Sequence, residues 1–358
     1  MGPRRAAAAR RHPPGRLVSP GLSGLLLGVD VGGSKTAVAV ADAGGRVLFS
    51  GRGPGGSPDE LTERGCLDVV QATLTAAGAP TSGYAVAALA VAGVDQPDEE
   101  QALAAVARER GLVVGPDEGG VLSVVNDLFA VLRSAADTDG SAGARGIAVI
   151  AGTGTNAVGL DGEETVRFLS LGPVSGDWGG GADLGVAALG AACREEDGRG
   201  PATALTAAVR RQYGTASAHE AVLALHRGQA AAGSERHLAR AVLAAADAGD
   251  AVAVELVRRL AREVADFAAA SAARLGHPLH ELPVVLGGGL LHARTPRLTA
   301  EVRAALLQRD PAVADSSIRY TDVPPVVGSL LLAFDAAVAS GSLPASARPS
   351  PAVLATQL

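Results

Sequence analysis

The residues best able to do chemistry in this 358-residue chain are concentrated in glycine-rich turns that follow apolar strands. The first turn is Asp30-Val31-Gly32-Gly33-Ser34-Lys35-Thr36. Backbone amides in such a turn can point together at phosphate oxygens. Lys35, the only lysine in the chain, supplies a cation. Asp30 can hold Mg²⁺ through water, because Mg²⁺ prefers few carboxylates together with phosphates. We predict a phosphate site made of Gly32, Gly33, Ser34, Lys35 and Thr36.

Two later glycine turns have similar potential. In Gly152-Thr153-Gly154-Thr155-Asn156 the glycines let the backbone approach a ligand, and the threonine hydroxyls add donors. In Gly287-Gly288-Gly289, between a strand and a helix, three glycines permit close approach of a purine or ribose. Taken alone, each turn could be an ordinary connection. Two phosphate hairpins that each begin one half of the chain indicate a pair of jaws around one nucleotide.

Asn126-Asp127 ends an apolar strand that lies between the two hairpins in sequence. A carboxylate at the carboxyl end of a strand often faces an active cleft. A hydroxyl that attacks a γ-phosphate needs a nearby base, which Asp127 could supply. Asp127 could also cap the following helix, and the two roles are compatible.

The segment from Leu171 to Gly181 places Asp177 on a glycine-rich loop beside the only tryptophan, Trp178. Sugar pockets use carboxylates to accept hydrogen bonds from hydroxyls and aromatic rings as apolar platforms. The segment therefore predicts a sugar contact. The alternative is a turn formed by Asp177 with Trp178 in the core.

The order of apolar strands, glycine turns and amphipathic helices predicts an α/β fold with two domains, because the strand, turn and strand pattern of residues 25–42 recurs at residues 146–160. The expected ranges are a disordered basic tail at 1–23, domains at 24–134 and 145–328, a closing helix at 329–340 that could return to the first domain, and a mobile tail at 341–358.

Composition excludes several classes of function. The net charge is −6 although the first 23 residues carry five arginines and no acid, so the remainder is a poor nucleic-acid binder. No apolar stretch approaches the ~20 residues of a membrane span. Cys66 and Cys193 form neither a CxxC pair nor a zinc spacing, and a reducing cytoplasm is the expected location.

These motifs together resemble the actin, heat-shock chaperone and sugar kinase superfamily. Residues 30–36 resemble its first phosphate motif, residues 152–156 its second, and residues 286–291 its adenosine motif. Within it, AVAGVDQ (90–96), VVND (124–127) and GTGTN (152–156) resemble the N-acetylglucosamine kinases of the BadF/BadG/BcrA/BcrD ATPase family. SGDWGGGADLG (175–185) resembles the sugar-side loop of those kinases.

The resemblance implies two actin-like, ribonuclease H-like domains with the active cleft between them. It implies ATP and Mg²⁺ as cofactors, Asp127 as catalytic base, and phosphorylation of N-acetylglucosamine to N-acetylglucosamine 6-phosphate, with a homodimer also considered. We predict that the sugar site comprises Asn126, Asp127, Gly152, Thr153, Asp177 and Trp178, and that the nucleotide site comprises Gly32–Thr36, Gly152–Thr155 and Gly287–Gly289.

Three departures from the family pattern lie on the sugar side. Trp178 replaces an acid, Ala92 stands where a serine is frequent, and residues 55–57 lack an asparagine. They leave open another amino sugar, such as glucosamine or N-acetylmuramic acid. The main alternative function is a non-kinase ATPase that activates a dehydratase through an iron–sulfur cluster, which needs cysteine ligands at a dimer interface.

Overall fold

A computed structural model describes residues 24–135 and 145–358 of the chain. The basic segment 1–23 and most of the expected domain boundary lie outside the described residues. The strands are β1 (Leu26–Val31), β2 (Lys35–Ala41), β3 (Val47–Pro54), β4 (Val86–Val91), β5 (Val121–Asn126), β6 (Gly146–Ala151), β7 (Thr155–Asp161), β8 (Glu164–Arg167), β9 (Val284–Gly287) and β10 (Ile318–Tyr320). The helices are α1 (Pro58–Leu61), α2 (Glu63–Ala76), α3 (Pro97–Glu109), α4 (Asp127–Ser134), α5 (Gly180–Glu196), α6 (Ala204–Tyr213), α7 (Ala218–His226), α8 (Ala239–Asp247), α9 (Ala251–Arg274), α10 (Gly288–His292), α11 (Pro296–Arg309), α12 (Pro325–Ala339) and α13 (Pro351–Ala355).

The two sheets are built on the same plan. The first has the strand order β3-β2-β1-β4-β5, and the second has the order β10-β9-β6-β7-β8. In each, a glycine-turned antiparallel hairpin is extended on one side by an antiparallel strand and on the other by parallel strands. The predicted α/β architecture of two mixed sheets flanked by helices is confirmed. Strand β8 was not anticipated, because its four residues carry little apolar pattern.

Each sheet is covered by helices on its faces. Helices α2 and α3 pack on one face of the first sheet through a cluster that includes Leu67, Val70 and Leu103. The long helix α9 packs on the second sheet, and Leu260 and Val264 are fully buried there. Between β3 and β4 the chain forms two helices, because Thr62, with a φ of 88°, breaks the helical path between α1 and α2.

Helix α4 lies between the two sheets. Leu128, Phe129 and Leu132 of this helix belong to one buried cluster with Ala148 and Val285 of the second sheet. On its other side α4 contacts α12, and α12 in turn packs on β1 and β4. The first turn of α4 is therefore held by contacts with both halves of the molecule.

The closing helix, expected at 329–340, begins at Pro325 and packs on the first sheet. A Cβ added to Gly28 of β1 would lie 2.4 Å from the Leu330 backbone nitrogen, so glycine allows this close contact. Beyond it, the tail expected to be mobile instead contains α13, in which Leu354 is fully buried. The Val47 amide donates to Gln357 Oε1 at 2.9 Å, so burial and pairing with β3 outweigh the polar composition of this segment.

Within the described ranges, none of the helices combines the length and the apolar character that crossing a membrane requires.

Candidate active site

The first hairpin joins β1 to β2 at one side of an interdomain cleft. The Gly32 amide donates to the Lys35 carbonyl at 2.9 Å and closes the turn. Gly55 packs beneath it, since a Cβ at that position would lie 2.1 Å from the Gly33 carbonyl oxygen. Lys35 is exposed in the cleft, whereas Thr36 is wholly buried. The turn thus presents backbone amides and one ammonium group to the cleft.

The second hairpin, between β6 and β7, is supported from below by helix α5. The Gly181 and Ala182 amides donate to the Gly152 and Thr153 carbonyls at 2.8 and 3.0 Å. Gly180 has a φ of +72°, and a Cβ on it would lie 2.5 Å from the Thr153 carbonyl oxygen. The glycines at 179–181 therefore allow the start of α5 to pack against the hairpin. This packing role differs from the flexible sugar loop that the sequence suggested.

The third glycine turn connects β9 to α10 beside the second hairpin. Gly288 has a φ of +84°, and a Cβ there would lie 2.5 Å from the Ala151 carbonyl oxygen. A side chain at this position would force β6 and β9 apart. Gly288 and Gly289 face the cleft, while Gly287 is buried as the last residue of β9.

Asp127 is the first residue of α4 rather than the last residue of β5. The helix cap is Asn126, whose Oδ1 accepts a hydrogen bond from the Leu128 amide at 3.0 Å. The alternative in which Asp127 caps this helix is therefore wrong, because the preceding residue already fills that role. The Asp127 carboxylate remains available to the cleft, where it is partly exposed.

The cleft has a volume of about 990 Å³ and is lined by residues of both halves. It brings together most of the predicted site. The predicted residues that line it are Asp30, Gly32, Gly33, Ser34, Lys35, Asn126, Asp127, Gly152, Thr153, Gly154, Thr155, Gly288 and Gly289.

Four predicted residues do not line the cleft. Thr36 and Gly287 lie behind it in the sheets. Asp177 accepts a hydrogen bond from the Ser175 hydroxyl within its own turn. Trp178 packs against the second core, and the Arg259 guanidinium lies 4.0 Å from its ring centroid. Their arrangement matches the alternative of turn former and core residue, so a sugar contact by this pair stays a prediction.

Other cleft residues were not singled out from the sequence. Asp59 and Asp95 line the first-domain side, and His292, Arg294 and Asp322 line the second-domain side. Asp95 lies within the AVAGVDQ segment, where a lone acid after an apolar strand was the available signal. Arg294 and Asp322 form an ion pair, and no motif marks Asp59 or His292.

The pKa values of three carboxyl groups in the cleft are raised. Burial, partly offset by Lys35, raises the pKa of Asp30 to about 6. Burial, together with the charges of Asp30 and Asp95, raises the pKa of Asp127 to about 7. Burial and the nearby Glu99 and Asp59 charges raise the pKa of Asp95 to about 7. Keeping these carboxylates ionised in the cleft costs free energy, and a bound cation would reduce that cost.

The hydroxyl of Thr155 has no partner among the described residues. Thr155 borders the cleft, but its Oγ1 is buried and faces Gly179, where an added Cβ would lie 2.4 Å from it. A buried polar atom without a partner costs about 1–3 kcal/mol.

Comparison with known proteins gives a consistent result. The model of the BadF/BadG/BcrA/BcrD ATPase family matches residues 27–333. A curated relative, the N-acetylmuramic acid/N-acetylglucosamine kinase of Clostridium acetobutylicum, is 26% identical over 244 residues, which cover 67% of this chain and 76% of that protein.

Solved structures agree in fold. A candidate N-acetylglucosamine kinase from Chromobacterium violaceum superposes with a TM-score of 0.64 at 26% identity, covering 86% of this chain and 98% of that one. A ROK family glucokinase from Streptomyces griseus, solved with glucose and AMPPNP, has a TM-score of 0.53 at 18% identity, covering 87% and 99%. The latter likeness shows the shared fold alone.

Proposed function

This chain belongs to the BadF/BadG/BcrA/BcrD ATPase family, and from that premise we propose that it is an ATP-dependent sugar kinase. The reaction transfers the γ-phosphate of ATP to a hydroxyl of a hexosamine, and N-acetylglucosamine is the proposed acceptor, with N-acetylglucosamine 6-phosphate as product. The observation that carries the proposal is the position of Asp127 in a cleft between two glycine hairpins, each able to bind phosphates.

Asp127 is the proposed general base. As the sugar oxygen forms its bond to the γ-phosphorus, the bond from that phosphorus to the ADP oxygen breaks, and the hydroxyl proton passes to the Asp127 carboxylate. A pKa of about 7 suits this task, because a base is most effective when its pKa lies near the working pH.

The nucleotide phosphates are proposed to lie between the hairpins. The backbone amides of Gly33, Ser34, Thr153 and Gly154 and the Lys35 ammonium are the donors that support this assignment, while the Gly32 and Gly152 amides close the two turns. Gly288 and Gly289 leave room for the adenosine.

The donor set also fits Mg²⁺. Asp30 is 7% exposed and borders the cleft, and its raised pKa shows that its charge is poorly compensated by the protein alone. One buried carboxylate with phosphate oxygens and waters is the ligand set that Mg²⁺ prefers. Held by Asp30 through water, Mg²⁺ would neutralise charge on the phosphates.

The acceptor sugar is proposed from relatives. The Clostridium acetobutylicum relative is named for both N-acetylmuramic acid and N-acetylglucosamine, and the Chromobacterium violaceum relative for N-acetylglucosamine. N-acetylmuramic acid is therefore the second acceptor to test, and glucosamine, lacking the acetyl group, is the third. A cytoplasmic location and a homodimer stay predictions.

The non-kinase alternative receives little support from the cysteines. Cys66 is wholly buried in the core of the first domain, and burial raises the pKa of its thiol to about 12. A thiol held in that state is a poor ligand for an iron–sulfur cluster, which binds thiolates.

The test is phosphoryl transfer by the purified protein. ADP formation is followed with ATP, Mg²⁺ and each of the three amino sugars, with glucose as a fourth acceptor, and the product is identified by phosphorus NMR. We expect N-acetylglucosamine to stimulate ADP formation and to yield a 6-phosphate. Asp127→Asn keeps the shape but cannot take the proton, so its kcat should fall by about 10²–10⁴-fold. ADP formation that no sugar stimulates would contradict the proposal.

A further inference from the structure

The only two asparagines of the chain both donate a hydrogen bond to one carboxylate oxygen, Oδ1 of Asp95. Asn126 Nδ2 donates to Asp95 Oδ1 at 2.7 Å, and Asn156 Nδ2 donates to the same oxygen at 2.9 Å. Both asparagines are buried, and all three residues line the cleft. The sequence separates them by up to 61 positions, so only the fold brings them together.

This contact bridges the two halves of the molecule. Asn126 ends β5 of the first sheet, and Asn156 belongs to β7 of the second sheet, directly after the hairpin of residues 152–155. Asp95 is itself held in the first half, because its backbone amide donates to Glu99 Oε2 at 2.8 Å. The Asp95 carboxylate is therefore held in place, and it orients Asn126 on one side of the cleft and Asn156 on the other.

The side-chain oxygen of each asparagine accepts a hydrogen bond from the backbone amide of a neighbouring residue. Asn126 Oδ1 accepts from the Leu128 amide at 3.0 Å and caps α4, and Asn156 Oδ1 accepts from the Ala157 amide at 2.7 Å. An asparagine that donates to Asp95 must turn its oxygen towards these amides. The carboxylate thus selects the orientation in which Asn126 caps the helix that begins with Asp127.

We propose that Asp95 is a positioning residue for phosphoryl transfer, which holds Asn126 and Asn156 and thereby fixes Asp127 relative to the second phosphate hairpin. The role rests on the proposed function, because it gives Asp127 the part of the base. It goes beyond that function by assigning a task to a carboxylate that has no part in the proposed chemistry.

The charge of Asp95 acts on Asp127 as well. It is one of the causes that raise the pKa of Asp127, after burial and the charge of Asp30. Asp95 itself faces the carboxylates of Glu99, Asp59 and Asp127 and the guanidinium of Arg167, which also donates to the Asp95 carbonyl at 3.4 Å. Removing this charge while keeping the hydrogen bonds separates the electrostatic effect from the geometric one.

Two variants and one control make that separation. Asp95→Asn keeps an oxygen that can accept from both asparagines but removes the charge. Asp95→Ala removes the oxygen. Glu100→Gln is the matched control, because Glu100 pairs with Arg167 across the same domain boundary at 2.7 Å without contacting either asparagine.

We expect the acidic limb of the kcat/KM profile to move to lower pH in Asp95→Asn, because the proton on Asp127 is less favoured without a neighbouring charge. Asp95→Ala should lower kcat about 10- to 100-fold, since small misplacements of a reacting group have effects of that order. The KM values for ATP and sugar should change less than about threefold. Glu100→Gln should leave the acidic limb in place.

A second measurement does not depend on turnover. Amide hydrogen exchange at Leu128 and Ala157 should accelerate in Asp95→Ala and remain near wild type in Asp95→Asn. Unchanged exchange in Asp95→Ala, or a rise in sugar KM without loss of kcat, would each overturn the positioning role, and an unmoved acidic limb in Asp95→Asn would overturn the effect of the Asp95 charge on Asp127. A wild-type protein that phosphorylates no sugar would instead contradict the proposed function, and the exchange data would still decide whether Asp95 orients the two asparagines.

Discussion

At the scale of single residues, the lining of the cleft contains several carboxylates and few cationic side chains. The pKa values of Asp30, Asp59, Asp95 and Asp127 are all raised, and burial is the first cause in each. Lys35 is the cation that lies in the first hairpin. Such a site is costly for the free protein and suits a ligand that brings its own cation.

The raised pKa of Asp127 predicts a pH-dependent cost to stability. Its folded value of about 7 lies above the ~3.9 of an unfolded aspartate, so between these values the folded state binds more protons. This contribution to stability is present at low pH and is lost as pH rises through about 7. The loss begins above the unfolded pKa of ~3.9 and is complete above about 7, so the melting temperature of Asp127→Asn should exceed that of wild type by a margin that grows from pH 5 to pH 8.

The control for that experiment is Asp117→Asn, at an exposed position outside the cleft. Melting curves of the three proteins from pH 5 to pH 8 provide the comparison. An advantage of Asp127→Asn that does not grow with pH would show that the pKa of Asp127 is not raised.

Lys35 is predicted to serve the nucleotide and not the sugar. Because it is exposed, Lys35→Ala should leave the melting temperature near wild type while raising the KM for ATP. Lys35→Arg should restore ATP use only in part, since a planar guanidinium does not replace a compact ammonium group. Initial rates at varied ATP and at varied sugar distinguish the two effects. Full activity in Lys35→Arg would contradict a specific role for the lysine.

At the scale of elements, helix α4 connects Asp127, the proposed base, to the rest of the fold. It packs between the sheets, and the Arg133–Asp335 ion pair, with Nε and Oδ2 2.6 Å apart, joins it to α12. Asp335 also accepts from Arg348 at 2.7 Å, which ties the C-terminal segment to the same helix. The position of Asp127 thus depends on packing far from the cleft.

Gly328→Ala should therefore affect both stability and turnover. A Cβ on Gly328 would lie 1.9 Å from the Ala130 carbonyl oxygen, so α12 and α4 must separate to accept it. Overpacking of this kind costs about 1–3 kcal/mol, and the shift of α4 should lower kcat as well.

Gly190→Ala is the matched control, because Gly190 lies within α5 and has no atom within 4 Å of an added Cβ. It should stabilise the protein by up to about 1 kcal/mol through helix propensity. Denaturant unfolding and kcat measured on both variants test the idea. Wild-type stability in Gly328→Ala would mean that the two helices are not in close contact.

At the scale of the whole molecule, the proposed function requires the two halves to converge on one nucleotide. Their phosphate hairpins belong to different sheets, and the Asp95–Asn156 hydrogen bond and the Glu100–Arg167 ion pair cross the boundary. Ligands that contact both hairpins favour the arrangement in which the hairpins are closest.

An ATP analogue with sugar should therefore reduce the radius of gyration measured by small-angle X-ray scattering. Sugar alone should have a smaller effect. Asp127→Asn should compact like wild type, because the base is needed for proton transfer and not for binding. An unchanged radius of gyration with both ligands present would argue against closure of the two halves around the ligands.

The sequence alone was sufficient to predict many of the local elements and the two glycine-turned hairpins, whose binding of phosphates stays a prediction. Apolar runs of strand length marked β1, β4 and β6, and glycines marked the turns at residues 32–33 and 152–154. Close backbone contacts require glycine at the neighbouring positions Gly55, Gly180 and Gly288, whereas a Cβ on the turn glycines themselves would meet no close contact within the protein. The family resemblance likewise rested on short segments that are contiguous in the chain.

Tertiary structure decided how distant side chains meet. It gave the helix cap to Asn126, it brought Asn126 and Asn156 to one oxygen of Asp95, and it packed the half-buried Trp178 against the second core. It also ordered α13, whose polar flanks had suggested a mobile tail. These outcomes depend on contacts between segments far apart in sequence, and no pattern within one segment carries that information.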